Sequence, residues 1–200
     1  MRPIALALAA LLLAAPAHAA TVNGATSTLS GAHANQLEAW LGQGTIALDL
    51  LFQKQDGDSS RDFHAAADGQ GATFTVARLS TGHVIGGYNP RSWDAASGWA
   101  LTPDYADRTA FLFNLTTAQL LPQRLAGTSF NSGEYQSFNG LADGPVFGGG
   151  ADWSVGGDLT SSYSNLGADY GDGSRFGDNI YNNGFVGSPP GTAPPAPPSR

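Results

Sequence analysis

The side chains of this sequence with the clearest capacity for acid–base chemistry are one histidine and two acidic residues. His64 lies between Asp62 and Asp68, and a neighbouring carboxylate can orient a histidine that acts as a general base. Glu134 is one of only two glutamates, and glycoside hydrolysis needs such an acid facing a second carboxylate across the substrate. His64, Glu134 and Asp62 are therefore the candidate catalytic residues of a polymer hydrolase. The alternative, which we favour, is a hydrogen-bonded structural histidine.

A second group of acidic residues has the composition of a calcium site. Asp169, Asp172 and Asp178 lie in and just after the glycine-rich stretch 167–177, and carboxylate oxygens are ligands that Ca²⁺ prefers. Residues 56–62 have the alternating spacing of a calcium loop, but they lack the glycine and the glutamate of an EF-hand. For both stretches we favour a solvated loop, the second of which caps a helix.

Several reaction classes are excluded by residues that the sequence lacks. The chain has no cysteine, and its one methionine is Met1, so thiol nucleophiles and thiolate metal sites are ruled out. No Gly-x-Ser-x-Gly elbow occurs, and the glycines at 148–150 are not followed by the lysine of a phosphate-binding loop. We therefore expect no cofactor.

The charge of the chain argues against nucleic acid as a partner. The formal net charge is −7, Lys54 is the only lysine, and there is no basic run. Binding to phosphates requires clustered Lys and Arg, which this chain does not have. The expected partner is instead a protein or another component of the cell envelope, bound by a monomer.

The first 19 residues have the layout of a secretory signal peptide. Arg2 precedes an apolar run at 4–15, and the small-x-small triplet 17–19 follows Pro16. The run is shorter than the about 20 residues that span a bilayer, so the mature chain is predicted to have no transmembrane segment. Cleavage after Ala19 removes Arg2 and changes the net charge from −7 to −8. We expect export to the periplasm or the extracellular space.

The mature chain divides into one domain at 20–186 and a proline-rich tail at 187–200. The tail has too few apolar side chains to offset the entropy of ordering, which favours a linker with polyproline II character over a ligand for a partner domain. The absence of disulfides means that the domain depends on the burial of apolar surface.

Within the domain, the pattern predicts few helices and many strands. Helices are predicted at 32–41, ending at Gly42, and at 60–67, with Phe63 and Ala66 facing inward. The 27 glycines separate short aromatic and β-branched runs, which is typical of strands joined by tight turns.

The strands themselves are predicted from apolar alternation and turn residues. Residues 45–52 fit a buried strand or a helical segment, and residues 74–88 fit a hairpin that turns at 80–82. The segment 111–115 has apolar residues on both faces and is predicted to be a central strand. A last strand is predicted at 179–185. Asp107 and Arg108 could form a local ion pair at a sheet end. For the four tryptophans we expect core packing rather than sugar stacking.

Four ordered motifs carry a resemblance to a known family. The segment VIGGYNPRSW at 84–93, AFLFNL at 110–115, FGGG at 147–150, and DL with SS at 158–162 resemble the TLDc domain signature in the same order. The segments 36–42 and 62–69 are similar to a bacterial exported subgroup, the PEP-CTERM-anchored TLD domain proteins. The Pro-Glu-Pro signal and terminal hydrophobic helix of that subgroup do not appear, which favours a released protein.

The resemblance implies both a fold and a class of function. It implies a mainly β (α+β) protein, in which two antiparallel sheets form a β-sandwich flanked by a few short helices. Eukaryotic relatives are understood as protein-binding modules, including partners of the vacuolar ATPase, and they protect against oxidative damage. We therefore expect a non-enzymatic binding module linked to oxidation resistance. The alternatives are the hydrolase and a calcium-stabilised structural matrix protein. The resemblance also depends on one shared interior between the stacked sheets, which we expect six apolar residues to line: Val84, Ile85, Phe111, Phe113, Phe147 and Trp153.

Overall fold

The structure is a computed structural model that describes residues 19–129 and 131–171. The signal peptide up to residue 18, the strand predicted at 179–185 and the proline-rich tail lie outside the described residues, as do Asp172 and Asp178. Within the described part the elements follow one another as β1 (Thr21–Asn23), α1 (Gly31–Leu41), β2 (Ala47–Asp49), α2 (Ser60–Ala67), β3 (Thr73–Arg78), β4 (Val84–Asn89), β5 (Trp99–Leu101), a 3-10 turn (Tyr105–Asp107), β6 (Phe111–Asn114), β7 (Gln119–Pro122), β8 (Tyr135–Phe138), β9 (Val146–Phe147), β10 (Trp153–Val155) and β11 (Ser162–Tyr163).

Two antiparallel sheets make up most of the fold. One has the order β3-β4-β6-β7 and the other has the order β11-β10-β9-β8-β5. The expected mainly β architecture, two antiparallel sheets with a few short helices, is therefore confirmed. A small parallel pair, β1 with β2, was not predicted. Residues 45–52 contribute only β2, and Leu50 and Leu51 are exposed, so the prediction of a buried strand or helix there was wrong.

Both helices form where the capping residues place them. Ser30 Oγ accepts the N–H of His33 at 3.2 Å at the start of α1, and Gly42 ends this helix in the left-handed conformation, with φ 67°. In α2 the buried residues are Ser60, Phe63, His64 and Ala67, spaced as one face of a helix. The prediction that Ala66 faces inward was wrong because the buried stripe follows the i, i+3, i+4, i+7 positions.

The four-stranded sheet is buried on both faces, because side chains alternate along each strand. The face that carries Ile85 and Leu112 packs on Phe147 and Trp153 of the five-stranded sheet. The opposite face packs under α1, in a second core whose fully or mostly buried members are Leu37, Tyr88, Phe111 and Phe113. The central position of β6 is thus confirmed. The expectation of one shared interior was wrong, since the motif residues divide between two cores.

The paired glycines of β4 allow both cores to close. A β-carbon at Gly86 would stand 2.4 Å from the ring of Phe113 and 2.0 Å from the carbonyl oxygen of Thr75. A β-carbon at Gly87 would stand 2.6 Å from the ring of Phe147. Neighbouring glycines therefore accept a phenyl ring on opposite faces of the same strand, which is the close approach that glycine in a strand interior permits.

Candidate functional site

His64 is a buried member of a histidine–aspartate pair. Its Nδ1 lies 2.7 Å from Asp68 Oδ1, and its side chain is only 3% exposed. Asp68 Oδ2 also accepts the N–H of Ala95 at 2.8 Å, which ties α2 to the loop after β4. His64 Nε2 is buried without a hydrogen-bond partner. The aspartate thus orients the imidazole, while the free nitrogen points away from solvent.

Asp62 serves the helix rather than His64. Its carboxylate accepts the Ser59 N–H at 2.8 Å and the Ser59 hydroxyl at 2.9 Å, which caps the first turn of α2. These bonds from Ser59 lower the pKa of Asp62. The prediction that residues 56–62 cap a helix is therefore confirmed.

Glu134 immediately precedes β8 of the five-stranded sheet. Its side chain is half-buried, and its carbonyl oxygen accepts the N–H of Thr102 at 2.8 Å. Among the described residues, no hydrogen bond or ion pair joins Glu134 to His64 or Asp62. The contacts therefore keep His64 with Asp68 and Asp62 with Ser59, and the catalytic hypothesis stays a prediction.

Asp169 is fully buried and holds three separate backbone N–H groups. Its Oδ1 accepts Gly133 at 2.8 Å and Tyr135 at 3.4 Å, and its Oδ2 accepts Gly149 at 2.7 Å. Both oxygens are thus engaged with the main chain of the β8 and β9 segments. These contacts indicate a structural role for Asp169. The calcium hypothesis stays a prediction, because Asp172 and Asp178 lie outside the described residues.

Asp152 is a second buried carboxylate that accepts three backbone N–H groups. Its Oδ1 accepts the N–H groups of Gly167 and Ala168 at 2.7 and 3.0 Å, and its Oδ2 accepts the N–H of Asp169 at 2.9 Å. Burial raises the pKa of Asp152 to about 7, and the negative charge of Asp169 acts in the same direction. Burial also raises the pKa of Asp169. The two buried carboxylates are connected through the N–H of Asp169, and together they bind the main chain at residues 133–135, 149 and 167–169.

Arg108 is a buried cation that binds the main chain through carbonyl oxygens instead of N–H groups. It is buried, and its guanidinium donates to the carbonyl oxygens of Thr102, Pro103, Arg124, Gly127 and Ser132. Five backbone acceptors match the five donors of a guanidinium. Arg108 does not form the local ion pair that the sequence suggested, because its guanidinium is buried and bonded to these five carbonyl groups. Arg108 joins the segment after β5 to the loop before β8.

An exposed aromatic cluster lies on the strands that this polar network holds. The Trp99 surface consists of Trp99, Leu101, Tyr135 and Phe138. Trp99 and Leu101 on β5 are 40% and 39% exposed, and Tyr135 and Phe138 on β8 are half-buried. The ring centroid of Trp99 lies 5.2 Å from that of Tyr135 and 4.8 Å from that of Phe138.

The Trp99 surface stands at the edge of the five-stranded sheet. β5 pairs with β8, and no other described strand pairs with β5. An edge strand with exposed apolar side chains is a common site of association. Two buried side chains position the Trp99 surface. Asp169 accepts the N–H of Tyr135, and Arg108 donates to the carbonyl oxygen of Thr102, the residue after β5.

Sequence reasoning missed most of this site. Trp93 and Trp153 are buried and Trp40 packs against the second core, so core packing is confirmed for them, but it was wrong for Trp99. The strand β5 was not predicted, and only the short spacing between Gly98 and Pro103 could have indicated it. Asp152 and Arg108 had no local signal, since their partners come from distant segments.

The described residues lack two features, a cluster of metal ligands and a membrane-spanning helix. No group of three or more His, Cys, Asp or Glu side chains is arranged to hold a metal ion in this part of the chain. None of the described helices has the length and apolar character needed to cross a membrane.

Comparison with known proteins identifies one family. A family model described as the TLDc domain matches residues 22–185, which include every described helix and strand except Thr21, the first residue of β1. A comparison with curated proteins returned no match.

Proposed function

The chain belongs to the TLDc domain family, which is linked to oxidative-stress resistance, and on that premise we propose that it is an exported, non-enzymatic module that binds a protein of the cell envelope. The Trp99 surface is the proposed binding site. The observation that carries this proposal is a contiguous set of exposed aromatic and apolar side chains on an edge strand.

The physical character of the Trp99 surface supports protein binding. Aromatic residues are enriched in the centres of protein interfaces, where a few buried anchors supply most of the affinity. Trp99 and Tyr135 are such anchors, and the rigid support from Asp169 reduces the entropy lost on binding. The edge strand β5 also leaves room for a partner segment to add beside it.

The bonding of the acidic residues supports a function without catalysis. Asp152 and Asp169 use their oxygens to hold backbone N–H groups, and Asp62 caps a helix. A general acid or base has to present its proton-transfer atom to a substrate. These three carboxylates direct their oxygens to the protein itself.

Two features support export. The signal-peptide pattern ends at Ala19, and β1 begins at Thr21, so cleavage there would leave the described strands and helices whole. The similarity of 36–42 and 62–69 to the bacterial PEP-CTERM-anchored TLD domain proteins points in the same direction. A chain cleaved after Ala19 also has no sulfur-containing side chain, so any protection against oxidants would act through a partner.

The binding experiment compares two exposed aromatics on opposite edges of one sheet. Trp99→Ala removes the centre of the proposed site, and Tyr163→Ala removes a 41% exposed ring from β11 as the matched control. Purified mature protein carrying either change is cross-linked to solubilised envelope proteins, and each captured species is quantified. We expect Trp99→Ala to weaken capture of a specific protein about tenfold or more, because a central aromatic anchor contributes about 2 kcal/mol. Equal capture by both variants would remove the Trp99 surface from the proposal.

The hydrolase is the second candidate, and one observation favours it. His64 is oriented by Asp68, and its buried Nε2 has no hydrogen-bond partner, so this nitrogen could take up a proton if a substrate gained access to it. Turnover of an extracellular polymer that disappears in both His64→Ala and Glu134→Gln, with folding intact, would support it. Turnover that survives both changes would exclude these residues.

A further inference from the structure

We propose that the proline-rich segment 188–198 of this chain docks on the Trp99 surface, so that the protein covers its own binding site until a partner displaces the segment. The inference rests on the proposed function, because it names the resting occupant of the same surface. It follows from the chemistry of the four side chains and from the place where the described chain leaves the domain.

The chemistry of the surface matches that of the segment. Aromatic side chains bind proline-rich segments because the polyproline II conformation is preformed and loses little entropy on docking. The rings of Trp99 and Tyr135 are nearly perpendicular, at 85°, and Trp99, which is 40% exposed, presents its ring to solvent. The segment contains two overlapping Pro-x-x-Pro spacings, at Pro194–Pro197 and Pro195–Pro198.

The chain leaves the domain close to this surface. Asp169, two residues before the last described residue, holds the N–H of Tyr135. Gly171 then donates its N–H to Pro122 at 2.7 Å. The 18 residues from Gly171 to Pro189 span at most about 60 Å, so the segment can reach Trp99.

The covalent link makes weak docking sufficient. A tether of this length gives an effective concentration on the order of millimolar. A segment with a dissociation constant near that value would occupy the site in about half of the molecules. A free protein partner with ordinary affinity would still displace it.

Paramagnetic relaxation in the mature full-length chain tests the proposal. The chain has no cysteine, so Ser199→Cys provides a single labelling site for a nitroxide. We expect the amide signals of residues 99–101 and 135–138 to lose more than half of their intensity. Trp99→Ala should restore these signals, and Tyr163→Ala should not. Replacing the prolines at 194, 195, 197 and 198 with alanine should also restore them.

Several outcomes would overturn the inference. These are the absence of broadening at 99–101, equal broadening in Trp99→Ala and Tyr163→Ala, and broadening that arises only between labelled and isotope-enriched copies. The last result would assign the surface to a second copy of the chain. Leu101→Ser, which removes a second exposed side chain of the same surface, guards against misfolding of Trp99→Ala.

The two proposals fail separately in these experiments. If residues 99–101 show no broadening in the otherwise unchanged chain but capture depends on Trp99, the tail inference is wrong and the proposed function stands. If broadening depends on Trp99 but capture does not, the tail docks on the Trp99 surface and the proposed binding site for a partner is wrong. If both hold, deletion of residues 188–200 should raise capture of the partner about twofold or more, since about half of the sites become free.

Discussion

The ring of Phe147 occupies the space that a side chain on Gly87 would need. A β-carbon at Gly87 would stand 2.6 Å from this ring, which packs between the two sheets with Trp93 and Trp153. The contact joins β9 of the five-stranded sheet to β4 of the four-stranded sheet. One glycine and one phenylalanine, both from segments that define the family resemblance, therefore set how closely the sandwich packs.

Gly87→Ala is expected to lower the free energy of unfolding by about 1–3 kcal/mol, because the added methyl group overpacks the core. Chemical denaturation measures the change. Gly31→Ala is the matched control, since no atom lies within 4 Å of a β-carbon there and the residue begins a helix. Phe147→Leu should recover part of the loss in the double variant. An unchanged stability of Gly87→Ala would contradict this packing.

The raised pKa of Asp152 predicts a stability that increases on mild acidification. Its pKa is about 7 in the folded protein and 3.8 in the reference state, so the folded protein binds more protons between these values. The free energy of unfolding should therefore rise as the pH falls from 8 toward 5. Urea denaturation at several pH values measures the slope.

Asp152→Asn should remove most of this slope and also destabilise the protein, because an amide N–H₂ would face a backbone N–H donor. Asp158→Asn is the control. Asp158 is exposed, and bonds from Thr160 lower its pKa to about 2, so it contributes no change between pH 5 and 8. The same slope in Asp152→Asn as in the natural chain would assign the titration to another group.

Arg108→Lys is expected to cost about 3 kcal/mol or more, although it keeps the charge. Lysine has three donors where the guanidinium serves five carbonyl groups, so buried acceptors would be left unpaired. Thermal melts compare this variant with Arg91→Lys, which changes an exposed arginine. Equal melting temperatures would contradict the role given to Arg108. A loss of partner capture in Arg108→Lys at temperatures where it remains folded would show that this residue also positions the Trp99 surface.

Processing after Ala19 predicts a mature chain that begins at Ala20. Intact-mass measurement of the protein exported from a bacterial host checks this prediction, and an uncleaved mass would contradict it. The new terminal nitrogen would keep its place, because the nitrogen of Ala20 already donates to Asn35 Oδ1 at 2.9 Å. Asn35→Ala should therefore lower the melting temperature of the mature chain, whereas Gln36→Ala should not.

Local patterns in the sequence determined the helices and the central strands. Capping residues and apolar spacing located α1 and α2, and alternation predicted the β3–β4 hairpin and the burial of both faces of β6. These features depend on neighbours within a few residues, which a sequence displays directly. The ordered glycine and aromatic motifs also predicted the family correctly, because close packing at Gly86 and Gly87 restricts which residues fit.

The tertiary structure alone decided which polar and aromatic residues are buried. Asp169 holds the N–H of Gly133 from 36 residues away, and Arg108 reaches carbonyl groups as far as 24 residues along the chain. Their main-chain partners carry no side-chain signal. Trp99 has the same residue type as the buried Trp153, yet its strand lies at a sheet edge. Strand order depends on long-range pairing, so only the folded chain separates a core tryptophan from one that is exposed at a sheet edge.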